Sequence, residues 1–140
     1  MRDSDIQRIE HIRDYCLDVR DTTQRFGADY EIFLSDKDYY KSVSMSVMQI
    51  GELSAGLSDG FKENSKTQIQ WGPIKSMRNM FAHTYVSMDK DVIWETAIRD
   101  IPVLLSFCEQ TLEPYQEQAE AMDKETDEPG EDESQGMTLQ

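Results

Sequence analysis

Apolar side chains recur every three or four residues over four stretches of the chain, the spacing of one face of an α-helix. The first stretch predicts a helix from Ser4-Asp5, residue types that favour helix starts, to about Arg25, with Gly27 ending it. The others predict a helix over residues 37–57, a helix that has Pro73 in its first turn and includes residues 77–82, and a helix over residues 90–112. Their recurring apolar residues include Ile6, Ile9, Ile12, Cys16, Val19, Val43, Val47, Ile50, Ile74, Met77, Phe81, Trp94, Ile101, Leu105 and Cys108.

Shorter signals lie between these stretches. Residues 30–34 predict one or two helical turns, and Asp36 and Asp89 stand where helix caps are expected. The polar, glycine-bearing residues 58–66 predict a loop. Pro102 should remove one backbone hydrogen bond and kink the last helix. Gly51 lies within a helix at a cost of about 1 kcal/mol relative to alanine, which indicates close approach of another helix backbone.

These patterns together predict an all-α fold, an up-and-down bundle of four long helices with short helical turns. We expect one helical domain over residues 1–113, closed by Pro114. Residues 114–140 are acidic and low in complexity, and they show no apolar periodicity. Such a segment cannot bury enough apolar surface to offset the entropy of ordering, so we expect a disordered tail.

Composition favours a protein that folds in water. Hydrophobic residues make up 38% and charged residues 30% of the chain, and no run approaches the roughly 20 apolar residues of a membrane span. Asp3, Asp5 and Glu10 fall where a signal peptide would need apolar residues, so a cytoplasmic location without membrane contact is expected. Cys16 and Cys108 lie on apolar stripes, which indicates two buried free thiols rather than a disulfide or a metal site.

The net charge of −14 opposes extended binding to nucleic acid. Part of this charge is local, because residues 114–140 hold nine acidic residues and one lysine. The remaining chain, with thirteen basic and nineteen acidic residues, still carries a net charge of −6. If the protein acts on RNA, we therefore expect a short or single-stranded contact rather than a long basic groove.

One short segment concentrates the residues that could carry chemistry: Arg78, Asn79, His83 and Tyr85. Asn79 and His83 are four residues apart and share a helical face, whereas Arg78 and His83 are separated by roughly 140°. The second pair can converge only if Arg78 uses its reach or the helix frays near His83. A guanidinium matches phosphate oxygens and an imidazole can move protons, a set suited to metal-independent RNA cleavage with a 2′,3′-cyclic phosphate product. The alternative is a surface cation and a helix C-terminal cap.

Other candidate residues are weaker. His11 lies off the apolar stripe and is interpreted as an exposed surface residue, while Glu52 is equally consistent with a surface carboxylate and with a group that orients a site. The sequence shows no glycine-rich phosphate loop, no Cys/His metal spacing and no nucleophile elbow. We therefore predict no cofactor and no metal site.

The spacing Arg78-x4-His83-x-Tyr85 resembles the signature of the HepT-like toxins, a branch of the HEPN superfamily. Further segments follow the order of that family: Gln49-Ile50-Gly51-Glu52 and Trp71 before the motif, and Ile93-Trp94 and Ile101-Pro102 after it. Each segment is weak alone, but their order from about Asp3 to Leu112 is fairly specific.

The resemblance implies an all-helical homodimer that acts as the endoribonuclease toxin of a type II HEPN/MNT toxin–antitoxin system. It implies that Arg78 and His83 of both subunits line a cleft at the dimer interface. It also implies a partner, a nucleotidyltransferase antitoxin of the MNT type, which neutralises the toxin by adenylylating Tyr85. Asn79 would support the catalytic pair.

Two other functions stay open at this point. The chain could be a catalytically silent helical module whose main role is to bind, and be modified by, a nucleotidyltransferase; in that case Tyr85 matters and His83 need not. It could also be a purely structural helical dimer. For Tyr85, the alternative to modification is a core or interface tyrosine whose hydroxyl meets a backbone group.

Overall fold

The computed structural model describes residues 3–83 and 89–127, with side chains described for residues 3–78 and 89–123. Every regular element in these ranges is helical, so the predicted all-α helical bundle is confirmed. The long helices are α1 (Asp3–Phe26), α3 (Lys37–Ala55), α5 (Trp71–His83) and α7 (Ile101–Asp127). The short helices are α2 (Tyr30–Ser35), α4 (Asp59–Ser65) and α6 (Lys90–Glu95), and a π-helical turn, Thr96–Asp100, joins α6 to α7.

The chain divides into two units, residues 1–110 and 111–140. In the first unit α3 packs against both α1 and α5. The predicted domain boundary between residues 113 and 114 stays a prediction. The buried core of the first unit comes mainly from the predicted stripes and includes Ile9, Ile12, Cys16, Val19, Val43, Val47, Ile50, Ile93, Ile101, Leu104 and Cys108.

Several local predictions are confirmed by backbone geometry. Gly27 follows the end of α1 with a φ of 102°, a left-handed conformation that costs glycine little. Asp36 caps α3, since its carboxylate accepts hydrogen bonds from the backbone N–H groups of Asp38 and Tyr39. Asp89 caps α6 in the same way.

The prediction of a loop over residues 58–66 is wrong, because α4 occupies most of it. Ser58 is the N-cap of α4, and its hydroxyl accepts a hydrogen bond of 3.2 Å from the N–H of Phe61. The buried Asp5 holds this cap, since it accepts hydrogen bonds from the N–H of Ser58 at 2.8 Å and from its hydroxyl at 2.6 Å. The described part of α1 already includes Asp3, so Asp5 lies within α1 and holds the cap residue of α4 rather than capping its own helix.

The predicted helix over residues 90–112 is confirmed in extent, because residues 90–127 are helical without a break, but the helix is not regular. A π-helical turn lies within it, in which the N–H of Ile101 donates to the carbonyl of Thr96, five residues earlier. Pro102 is the second residue after this turn, within the helical run that extends from Lys90 to Asp127. A proline ring conflicts with the carbonyl four residues before it, and the wider turn gives that carbonyl more room.

The helix α7 continues through Pro114 to Asp127, so Pro114 does not end it as predicted. Side chains 113–123 are exposed, in agreement with the absence of an apolar stripe there. The remainder of the predicted tail, residues 128–140, lies outside the described residues. Within the described ranges, no helix combines the length and apolar character needed to cross a membrane.

Cys16 and Cys108 are buried free thiols, as predicted. Burial raises the pKa of Cys108 from the ordinary thiol value of 9.0 to about 12, and it raises the pKa of Cys16 as well. Both thiols therefore remain protonated at neutral pH. Protonated, buried thiols act as small apolar side chains, which fits their position in the core.

Candidate functional site

The start of α5 is fixed by an aromatic side chain. Trp71 is buried, and its indole N–H donates a hydrogen bond of 2.8 Å to the hydroxyl of Ser65 at the end of α4. Its ring centroid lies 6.0 Å from that of Phe61 and 5.8 Å from that of Phe107. These contacts hold the first turn of α5 against α4 and α7, and so they fix the start of the helix that carries Arg78.

The middle of α5 is set by its contact with Gly51 of α3. A Cβ atom built on Gly51 would lie 2.8 Å from the backbone N of Arg78, 3.2 Å from the carbonyl O of Ile74 and 3.3 Å from the Cβ of Met77. Two of these three atoms are backbone atoms, which cannot turn away as a side chain can. The predicted close approach of another helix is confirmed, and the helix that approaches carries Arg78.

The Arg78 side chain is half-buried. Within the part of the chain whose side chains are described, no hydrogen bond or ion pair engages its guanidinium. Five donors are therefore available to a phosphate group. The neighbouring outer positions of α5, Gly72, Lys75 and Ser76, are exposed, so one side of this helix is open in the single chain.

The other predicted site residues are described only in part or not at all. The backbone is helical through His83, so the helix does not fray before that residue. Asn79 and His83 thus occupy positions one turn apart on a regular helix, but their side chains, and that of Phe81, lie outside the described set. Tyr85 lies outside the described residues altogether.

Helix geometry separates position 83 from the side of α5 that meets Gly51. At about 100° per residue, position 83 lies between roughly 120° and 180° around the axis from Ile74, Met77 and Arg78. Those three residues approach Gly51. Position 83 is therefore on the far side of α5, and an Arg78–His83 pair within one chain depends on the length of the arginine side chain.

Two candidates from the sequence are now placed. His11 is exposed on α1, as predicted, and Glu52 is exposed on α3 next to Gly51. Among the described residues, no three His, Cys, Asp or Glu side chains gather in a group that could hold a metal ion. The described part of the site therefore rests on one guanidinium and on the helix that positions it.

The sequence did not reveal a groove beside the start of α5. This groove, called here the α5–α7 groove, has a volume of about 330 Å³ and is lined by Gln68, Gln70, Pro73, Ile74, Asp100 and Val103 among others. Its walls come from the connection before α5, from α5 itself and from the start of α7. Because these segments are distant in the sequence, no local pattern could have indicated it.

Curated relatives of this chain are ribonucleases by name. It is 29% identical over 96 residues to "Putative RNase TTE0752" of Caldanaerobacter subterraneus subsp. tengcongensis, an alignment that covers 69% of this chain and 83% of that protein. It is 35% identical over 75 residues to "Probable ribonuclease HepT" of Thermococcus cleftensis, with 54% and 67% covered. No solved structure matches the chain at a significant level.

A family model covers most of the folded chain. The model described as "Ribonuclease HepT-like" matches residues 6–111, well over half of the sequence. The matched range contains most of α1, all of α2 to α6 and the start of α7, and it includes Gly51, Arg78 and His83. The chain belongs to the ribonuclease HepT-like family.

Proposed function

We propose that this protein is an endoribonuclease that cleaves RNA without a metal ion and acts as a toxin. Membership of the HepT-like family supports the reaction class. The observation that supports this site best is the half-buried Arg78. Its guanidinium has no partner among the described residues, and its helix is positioned by the contact with Gly51. A preorganised donor that is free to bind is what a developing phosphate charge requires.

The proposed reaction is a transfer within the RNA backbone. The ribose 2′-oxygen attacks the adjacent phosphorus while its proton passes to the imidazole of His83. The bond from phosphorus to the 5′-oxygen breaks, and that oxygen takes a proton from an imidazolium. The products are a 2′,3′-cyclic phosphate and a free 5′-hydroxyl. Arg78 binds the non-bridging phosphate oxygens as their negative charge grows, and Asn79 orients His83 or the phosphate.

Two copies of the chain supply the site in this proposal. Since position 83 lies on the far side of α5 from Gly51, the arginine and histidine of one chain diverge by roughly 140° on a regular helix. A symmetric dimer that packs α5 against its copy can bring Arg78 of one subunit close to the partner's histidine. The exposed outer positions of α5 leave that side of the helix accessible to a second copy.

The first experiment compares two histidine variants. His83→Ala should lower the rate of RNA cleavage by about 10²- to 10⁴-fold, the usual contribution of a positioned acid–base group. His11→Ala is the matched control, because His11 is exposed on α1 and has no proposed role. Both variants should unfold at the temperature of the wild type. Cleavage by His83→Ala at the wild-type rate would remove the proposed mechanism.

A second experiment tests whether the site is shared between subunits. Arg78→Ala and His83→Ala are each expected to be inactive as homodimers. A mixed dimer of the two variants has one intact Arg78–His83 pair and one empty pair, so an equal mixture should regain about a quarter of the wild-type activity. No recovery after confirmed subunit exchange would place both groups of a working site in the same chain.

Regulation by modification completes the proposal. A nucleotidyltransferase antitoxin of the MNT type would use ATP: the Tyr85 hydroxyl attacks the α-phosphorus, its proton leaves to a base, and pyrophosphate departs. The attached adenylate adds negative charge and bulk two residues from His83, and it would exclude RNA by repulsion and by occupying space. Intact-mass measurement with antitoxin and ATP tests this step, with Tyr85→Phe as the control. If wild-type protein is modified but never cleaves RNA, the silent binding module replaces the ribonuclease.

A further inference from the structure

We propose that the α5–α7 groove binds one unpaired base of the substrate RNA and selects a base that carries an exocyclic amino group. This inference rests on the proposed ribonuclease function, since it assigns a specificity subsite next to the same site. The bases in this class are adenine, cytosine and guanine; uracil lacks the amino group.

The position of the groove relates it to the catalytic arginine. Ile74 forms part of its wall and precedes Arg78 by one helical turn, a rise of about 6 Å along α5. The carbonyl of Ile74 and the N–H of Arg78 both approach Gly51, so this turn of α5 is held as one piece. A single strand whose phosphate is bound by Arg78 therefore has a neighbouring base within reach of the groove.

The lining of the groove fits a base better than it fits a phosphate. None of its lining residues is a lysine or an arginine, so it offers no charge to attract the RNA backbone. Ile74, Pro73 and the strongly exposed Val103 (58% exposed) provide apolar surface for the faces of a planar ring. Its volume of about 330 Å³ is at the lower end of the range for small-ligand pockets.

Polar groups at the rim can read the edge of a base. Gln68 and Gln70 are exposed, and neither side-chain amide forms a hydrogen bond with a described residue. Amides supply both donors and acceptors, whereas a carboxylate such as that of Asp100 supplies acceptors. An amino group donates to such a carboxylate, but the carbonyl that replaces it in uracil would repel it. The negative charge at the rim thus becomes a means of selection rather than an obstacle to binding.

A second groove continues the first. It has a volume of about 410 Å³ and shares Gln68, Ile69 and Val103 with the α5–α7 groove. Val103 stands between the two, where an apolar side chain can separate successive unstacked bases. The pair of grooves suits a short single strand, in agreement with a chain whose net charge opposes long electrostatic contacts.

The test uses cytidine and uridine as matched ligands, because they differ only at C4, where an amino group replaces a carbonyl, and at N3, which accepts in cytidine and donates in uridine. Titration of each nucleoside into the ¹⁵N-labelled protein should shift the side-chain amide signals of Gln68 and Gln70, with cytidine binding about tenfold tighter than uridine. In Asp100→Asn the preference should fall to about twofold or less, since an asparagine amide can turn to serve either base. Asp18→Asn, which removes an exposed carboxylate from α1, should keep the wild-type preference.

A cleavage readout extends the test to RNA. Sequencing the ends of products from a randomised single-stranded pool should show depletion of uracil at one fixed position relative to the cut. Asp100→Asn should lose this depletion, whereas the control Asp18→Asn should keep it. Equal binding of the two nucleosides to the wild type, or an unchanged preference in Asp100→Asn, would overturn the proposal.

The binding assay also separates this inference from the proposed function. Nucleoside binding at the groove does not need cleavage, so His83→Ala should bind cytidine as the wild type does. If cytidine binds with the expected preference and no RNA is cut by the wild type, the subsite is retained and the ribonuclease proposal fails. If no nucleoside shifts the glutamine signals and Val103→Asp instead changes the oligomeric state, the groove is a protein interface and the base proposal is wrong.

Discussion

Two regions of the first unit differ in how they are held. Around Phe33, which is fully buried, the rings of Tyr39, Tyr40 and Trp94 lie with centroids 5.2, 5.6 and 5.1 Å away; these four residues form what we call the aromatic core. Around Arg78, by contrast, one glycine contact sets the helix and the side chain has no described partner. The aromatic core provides stability through burial, and the α5 site keeps polar groups available at a position fixed by backbone contact.

This difference predicts that stability and activity respond to different substitutions. Removing a ring from the aromatic core should unfold the protein without a specific effect on the reaction. Changing the α5 site should impair the reaction while leaving the fold intact. The predictions below test the separation, beginning with the largest expected effect.

The largest effect on stability is expected for Phe33→Ala. It removes a fully buried ring that contacts three others, and such truncations cost about 3–5 kcal/mol. Denaturant unfolding followed by circular dichroism measures the loss. The fraction that remains folded should cleave RNA at the wild-type rate per molecule, so a specific loss of activity without loss of stability would break the comparison.

After His83→Ala, the largest effect on activity alone is expected for Arg78→Ala. Loss of a preorganised donor to the developing charge should lower kcat by about 10²- to 10³-fold. Because the side chain is only half-buried and meets no described partner, the free energy of unfolding should change by less than about 1 kcal/mol. Single-turnover cleavage and denaturant unfolding on the same preparation give both numbers. A loss of several kcal/mol in stability would make Arg78 a structural residue.

An intermediate effect is expected for Gly51→Ala, which should change both the stability of the protein and its activity. The added methyl group would lie 2.8 Å from the backbone nitrogen of Arg78, so α5 must move. The free energy of unfolding should fall by about 1–3 kcal/mol. Cleavage should fall with it, because the displacement shifts Arg78. Gly72→Ala is the matched control on α5 itself, since its added Cβ meets nothing within 4 Å. Equal stability and activity of both variants would show that α5 tolerates displacement.

The last effect concerns the two core thiols; it is absent at neutral pH and appears only in alkali. The pKa of Cys108 in the folded protein, about 12, lies above the ordinary thiol value of 9.0 expected when unfolded. The stabilisation is therefore complete below pH 9 and declines as the pH rises from 9 towards 12, by about 1.4 kcal/mol per pH unit for each thiol. Unfolding titrations of wild type and Cys108→Ala at pH 8 and pH 10 measure the difference. An identical pH slope in both proteins would contradict the burial of a protonated thiol.

Periodicity and capping residues in the sequence predicted most of the helices. The apolar stripes gave α1, α3 and α5 within a few residues, and Asp36 and Asp89 marked helix starts correctly. Helix α4 was missed because its composition is polar, and because its cap is held by Asp5, more than 50 residues earlier. The end of α7 was misplaced because a proline costs about 3 kcal/mol within a helix but does not forbid it.

The candidate site was predicted as a set of residues but not as an arrangement. The motif named Arg78, Asn79, His83 and Tyr85 from spacing and resemblance alone, and those roles remain predictions. Its glycine was also found in the sequence, as a helix position that needs a close neighbour. The identity of that neighbour, the backbone at Ile74 and Arg78, required the folded chain.

The amino-acid sequence by itself therefore determined the helical class, the buried stripes and the family of this protein, because these depend on the order of nearby residues. Tertiary structure decided that Gly51 meets α5 at Arg78, that Asp5 binds the α4 cap residue Ser58, and that Gln68, Asp100 and Val103 share a groove. These contacts join residues that are far apart in the chain. Local periodicity states which face of a helix is buried, but it carries no information about which other helix covers that face.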